Sequence, residues 1–190
     1  MSAKSQESQT ITSESSKRLV DFLESMDLHK KDFAEMIGVT LSYVYSLIDN
    51  TIPFSTRTTT LERIALVMGV SPDEFPEYKI SEEPKLVDPG LQFLKEKQKK
   101  LKLTNLQLIK KFPRQKRAEI VDLWRGAEPL PLDWKYLFSI AEVLEIPSKE
   151  IYPYWQARMR QYLMIGGIDP ISNSLLLDSM FDGAKKFLKI

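Results

Sequence analysis

The 190-residue chain has no cysteine and a single histidine, His29. Without cysteine there can be no disulfides and no thiolate metal sites, which fits a reducing compartment and predicts a cytoplasmic protein. One histidine excludes a multi-histidine metal site within one chain, and any histidine-based catalytic triad would have to use His29. The seven glycines are scattered. Gly166 and Gly167 form the only adjacent pair and read as a turn, and no stretch resembles a glycine-rich phosphate loop. No apolar run approaches the roughly eighteen residues of a membrane span, so no membrane association is expected. Residues 1–16 are rich in Ser, Gln, Thr and Glu and lack the apolar core of a secretory signal. They read as a disordered leader. With no catalytic constellation in sight, the expectation is a non-enzymatic protein without cofactor or metal.

What is present is an uneven charge. The formal net charge is only +1. Residues 1–94, however, hold nine Lys/Arg against fifteen Asp/Glu, residues 95–125 hold eleven against three, and residues 126–190 hold seven against eight. The middle block, net +8, can attract a polyanion on an otherwise nearly neutral chain. A solvated helix face is the plainer reading of such a run, and its position along the chain decides between the two.

The sequence also repeats itself. Ile64-Ala65-Leu66-Val67-Met68-Gly69-Val70 and Ser71 to Phe75 align with Ile140-Ala141-Glu142-Val143-Leu144-Glu145-Ile146 and Pro147 to Ile151 at a constant offset of 76. Upstream, Phe22 falls on Phe93. The helical spacing of apolar residues predicts helices over 17–26, 30–37, 41–48 and 58–68 in the first copy. Gly38 is a C-cap, Thr40 an N-cap, and Ser71-Pro72 opens a short fifth helix. A polar loop with Pro53 covers 50–56. In the second copy the expected helices are 91–101, 104–112, 114–124, 132–144 and 148–155. There Phe112-Pro113-Arg114 replaces the glycine turn with one extra residue. The fold class is therefore all-α, in two tandem domains at 17–78 and 90–159. A proline-marked linker at 79–89 joins them, and a helical tail at 160–190 follows. Apolar spacing over 171–190 predicts an amphipathic tail helix, which either packs on its own domain or makes a homodimer. Trp124 and Trp134 read as core residues, and Trp155 as a contact to another domain or to the tail.

Two short helices joined by a glycine turn make a helix-turn-helix unit. The run Phe33-Ala34-Glu35-Met36-Ile37-Gly38-Val39-Thr40, then Val44, then Ile64 to Phe75, resembles the Cro/phage-repressor (XRE-type) family over about residues 17–78. The second copy resembles it more loosely, with Ile120 in the place of Val44. The resemblance implies five-helix domains that bind double-stranded DNA, with the third helix in the major groove and the second helix and following loop on phosphates.

Carried onto the first copy, that scheme makes Leu41, Ser42, Tyr45 and Ser46 the reading positions, with Lys30 and Arg57 on phosphates. None of the four offers the bidentate contacts of Arg, Asn or Gln that discriminate bases. The first copy therefore either adds a half-site or contacts a protein partner. In the second copy the third helix begins Arg114-Gln115-Lys116-Arg117, whose side chains can pair with guanine and adenine edges, and Lys110 and Lys111 precede it. The +8 block thus surrounds the position at which this fold meets DNA. The expected function is a DNA-binding transcriptional regulator reading mainly through the second copy. The alternative is an adaptor or antitoxin-like subunit that keeps the fold without reading bases.

Overall fold

A computed structural model describes residues 13–49, 52–54, 57–80 and 87–190, apart from the side chains of Phe187 and Leu188. Among the described residues the protein is all-α. Its helices are α1 (Glu14–Ser25), α2 (Lys30–Ile37), α3 (Leu41–Ile48), α4 (Thr58–Met68), α5 (Pro89–Lys100), α6 (Asn105–Lys110), α7 (Arg117–Trp124), α8 (Trp134–Val143), α9 (Ser148–Ile165) and α10 (Ser174–Leu188). Single 3-10 turns lie at Pro72–Glu74 and Arg114–Lys116. No described helix is long and apolar enough to cross a membrane.

The helices form two compact units, one of Met1–Pro84 with Asn105–Arg125, the other of Lys85–Thr104 with Gly126–Ile190. This differs from the contiguous division expected at 79–89. Two of the helices assigned to the second copy, α6 and α7, belong with the first. The reason is the breadth of their apolar surface. Ile120, Val121, Leu123 and Trp124 are all buried within the eight residues of α7, and Leu106, Leu108 and Ile109 within α6. That surface is covered because α7 packs on α2, α4 and α6, while α6 packs on α4.

In the first unit, α1 begins earlier than expected. Ser13 is its N-cap, its Oγ accepting the Ser16 amide at 3.1 Å, and the Ser16 hydroxyl donates to the Leu47 carbonyl at 2.6 Å. The expected leader therefore ends by Ser13, and its first twelve residues lie outside the described ones. Helices α2, α3 and α4 begin and end where the sequence predicted. Gly38 (φ +67°) turns the chain, and the Thr40 hydroxyl accepts the Tyr43 amide at 3.2 Å to start α3. Leu19, Phe33, Met36, Ile37, Val44, Leu47, Leu61 and Ile64 make the core. The expected short fifth helix is a 3-10 turn, with the Ser71 amide donating to Glu74 Oε1 at 2.9 Å. Arg18 also pairs with Glu74.

In the second unit, Asp88 and Pro89 start α5 rather than belonging to the linker. Asp88 Oδ1 accepts the Gly90 and Leu91 amides at 2.8 and 3.1 Å, and Oδ2 accepts the Leu130 amide at 2.8 Å. The rest of the linker from 81 to 86 lies outside the described residues. Gly90 is required by crowding, since a Cβ there would come within 2.8 Å of the Leu130 side chain. Helix α9 runs ten residues past its expected end at 155, because nothing from Gln156 to Ile165 breaks a helix before Gly166 and Gly167. Trp155 bonds the Leu132 carbonyl through Nε1 at 2.8 Å and meets Phe181 of α10 edge-on. The tail helix is thereby fixed to its own unit, with Leu177 and Phe181 buried and the Tyr152 hydroxyl donating to the Phe181 carbonyl at 2.8 Å.

Candidate nucleic-acid interface

All twelve sequence-predicted contact residues fall in the first unit. They make two groups. The first is the outer face of α3 and its surroundings. Because α3 buries Val44 and Leu47, the helical period turns Leu41, Ser42 and Tyr45 outward, with Ser46 half-buried. The Ser46 hydroxyl donates to the Ser42 carbonyl at 3.0 Å. Lys30, in the first turn of α2, reaches over the Tyr45 ring with Nζ 4.9 Å from its centre. Arg57 is exposed at the N-cap of α4. Leu28, His29, Lys30, Lys31, Leu41 and Tyr45 line an open cleft of about 440 Å³.

The second group is the corner between α6 and α7. Lys110 ends α6, Lys111 follows it, and both are exposed. Arg114, Gln115 and Lys116 form the 3-10 turn, not the first turn of one continuous helix. Pro113 explains the change, since the Lys116 amide bonds back to the Pro113 carbonyl at 2.9 Å in an i to i+3 pattern before α7 begins.

Three of the four expected reading residues have partners within the chain, and two of them, Arg114 and Arg117, turn towards α2. Arg114 Nη2 lies 3.0 Å from Asp32 Oδ1 of α2, and its Nε lies 3.8 Å from Glu35 Oε2. Arg117 donates through Nε to the Phe112 carbonyl at 3.2 Å, and its Nη1 stands 3.9 Å from Asp32, leaving its side chain only 14% exposed. Lys116 pairs with Glu119 at 2.9 Å on the surface. Gln115 is exposed. Within α7 itself Glu119 is the only exposed residue, because α2, α4 and α6 cover the rest.

Behind α7 lies a charge network that was not anticipated. Asp122 accepts both arms of Arg63, at 2.7 and 2.6 Å, and Arg125 Nε at 2.9 Å. Arg125 in turn donates to Glu62 at 2.7 Å, and Glu62 accepts the Tyr78 hydroxyl at 3.2 Å. Arg63 also reaches the Ile37 carbonyl at 3.3 Å, so the network holds α4, α7 and the α2–α3 turn together. Burial by itself would raise the Asp122 pKa, but the hydrogen bonds from Arg63 and Arg125 outweigh it and hold the carboxyl below its usual range. These partners are separated by 59 and 63 residues. Their only local signal is that Glu62-Arg63 and Asp122 interrupt apolar stretches.

Among the described residues no group of three or more acidic or histidine side chains is placed to hold a metal ion. No protein-family model, no curated protein and no solved structure matches this chain.

Proposed function

We propose that this chain is a DNA-binding regulator that meets double-stranded DNA through a repressor-like helix-turn-helix in its first unit. The observation that carries the reading is the α2–Gly38–α3 arrangement. Its second helix is capped, is short enough to enter a major groove, and exposes Leu41 and Ser42 in its first turn and Tyr45 one turn further on. Leu41 suits a thymine methyl group, and Ser42 can bond to several base edges. Lys30 and Arg57 flank that helix. Lys110, Lys111 and Lys116 add positive charge in the same unit and supply the sequence-independent part of binding. Because α7 is enclosed by neighbouring helices, it contributes through the cations before it and not by entering a groove.

A second reading has its own support. The face of α3 offers no cation, and Leu41 and Tyr45 are large exposed apolar side chains beside a cleft. That combination also suits a protein partner, as an adaptor or antitoxin-like subunit would need.

Selection of bound duplexes from a random pool separates the two. The DNA reading predicts an enriched motif. Lys110→Ala/Lys111→Ala should weaken binding to all sequences alike and reduce the salt slope by about 2, whereas Ser42→Ala/Tyr45→Ala should change the motif. A pool that yields no enrichment favours the protein partner.

A further inference from the structure

Arginine meets carboxylate at two places beside α7, and the two contacts are built differently. Arg63 grips Asp122 with two hydrogen bonds, at 2.7 and 2.6 Å, and both side chains are largely shielded from water. Arg114 is held loosely. Its Nη2 lies 3.0 Å from Asp32 Oδ1 and its Nε 3.8 Å from Glu35 Oε2, yet neither oxygen accepts a hydrogen bond, although both are shut off from solvent. The Arg114 side chain itself stays 58% exposed. Arg117, which also stands near Asp32, differs again, being only 14% exposed and bonded to the Phe112 carbonyl. Arg114 is therefore the guanidinium of this cluster that can swing away without unmaking a packed contact.

The two carboxylates answer a local excess of charge. Residues 105–118 hold five Lys/Arg and no acid. Asp32 and Glu35 bring negative charge to that corner from another helix. Asp32 lies in the first turn of α2, where a negative charge also suits the helix N-terminus. Glu35 lies beyond that turn and has no such role. A phosphate offers Arg114 what these oxygens do not, two acceptors placed for parallel N–H bonds from one guanidinium. The exchange strands no buried charge. Asp32 keeps Arg117 at 3.9 Å, and the half-buried Glu35 takes up water where Arg114 had been.

We propose that Asp32 and Glu35 of α2 stand in for phosphate, holding Arg114 in the free protein and giving it up to the backbone of bound DNA. They thereby lower the affinity for DNA by competing for one cation. This rests on the DNA-binding reading and adds to it a phosphate contact and the two residues that restrain it.

Anisotropy titrations of a labelled mixed-sequence duplex at low salt test the exchange, using the full chain. Asp32→Asn/Glu35→Gln should bind about five-fold tighter, the strength of one exposed ion pair, with unchanged circular dichroism. Arg114→Ala should weaken binding and make the salt slope shallower by about 0.9. In the Arg114→Ala background the gain from neutralising α2 should largely vanish. An equal gain in both backgrounds would mean that the carboxylates act only through their field, and overturns the proposal, as does no gain at all. A second measurement needs no DNA. Phenylglyoxal modification of Arg114, followed by peptide mass mapping, should run several-fold faster in Asp32→Asn/Glu35→Gln than in wild type. An unchanged rate overturns the restraint. A raised rate with no duplex bound by either protein overturns the DNA-binding reading and the exchange with it, but not the restraint.

Discussion

Replacing Asp122 by asparagine removes the one carboxylate that holds two guanidinium groups behind α7. In the native protein that carboxylate accepts Arg63 at 2.7 and 2.6 Å and Arg125 at 2.9 Å. Losing one partner of a fully buried pair costs about 3–5 kcal/mol. Here the side chains of Asp122, Arg63 and Arg125 retain 17%, 22% and 18% of their exposure, and the amide keeps one acceptor oxygen. Partial solvation and the surviving bond reduce the expected loss to about 2 kcal/mol at pH 7. The effect should also depend on pH. Because the folded pKa lies below the ordinary value of 3.8, the carboxylate stabilises the fold above that value and loses the contribution as pH falls through the folded one. Urea unfolding of wild type and Asp122→Asn followed by circular dichroism measures both. The two curves should differ fully at neutral pH and begin to converge only as pH falls below about 4. A difference under about 0.5 kcal/mol at pH 7, or one that persists unchanged in acid, would mean that α7 does not dock on α4 through this network.

Two smaller tests address single positions. Gly38→Ala should destabilise the first unit by about 1–2 kcal/mol, since φ is +67° and a Cβ would press on Arg63 at 3.2 Å and on Ala118 at 3.4 Å. Thermal unfolding reads the loss, and an unchanged midpoint would dissociate the turn from α7. Tyr152→Phe should cost about 1 kcal/mol by removing the buried bond to the Phe181 carbonyl, and increased proteolysis of α10 is the sensitive readout.

Local elements were legible because their signals are local. The stops at Gly38 and Gly69 and the cap at Thr40 set the bounds of α2, α3 and α4. The apolar period of 171–190 announced a tail helix, and Trp155 does meet it. The partition of α6 and α7 was not legible. Apolar residues at helical spacing say that a face is buried, not which helix covers it. The repeat alignment assigned that cover to the second copy, whereas Asn105 of α6 bonds the Leu66 carbonyl at the end of α4 at 2.9 Å. The surroundings of the candidate interface were hidden for the same reason. Arg114 and Arg117 look accessible in a basic run, and nothing adjacent in sequence reveals that Asp32 and Glu35 of α2 engage them. Charge runs predict a field, but only the packing shows which cations face outward.

The most direct test of the DNA-binding reading is a fluorescence-anisotropy titration of the wild-type chain against labelled duplex DNA at several salt concentrations. With about four phosphates neutralised by residues such as Lys30, Arg57, Lys110 and Lys111, the logarithm of the binding constant should fall against the logarithm of salt with a slope of about −3.6. Absence of binding at low salt, or affinity indifferent to salt, would contradict it.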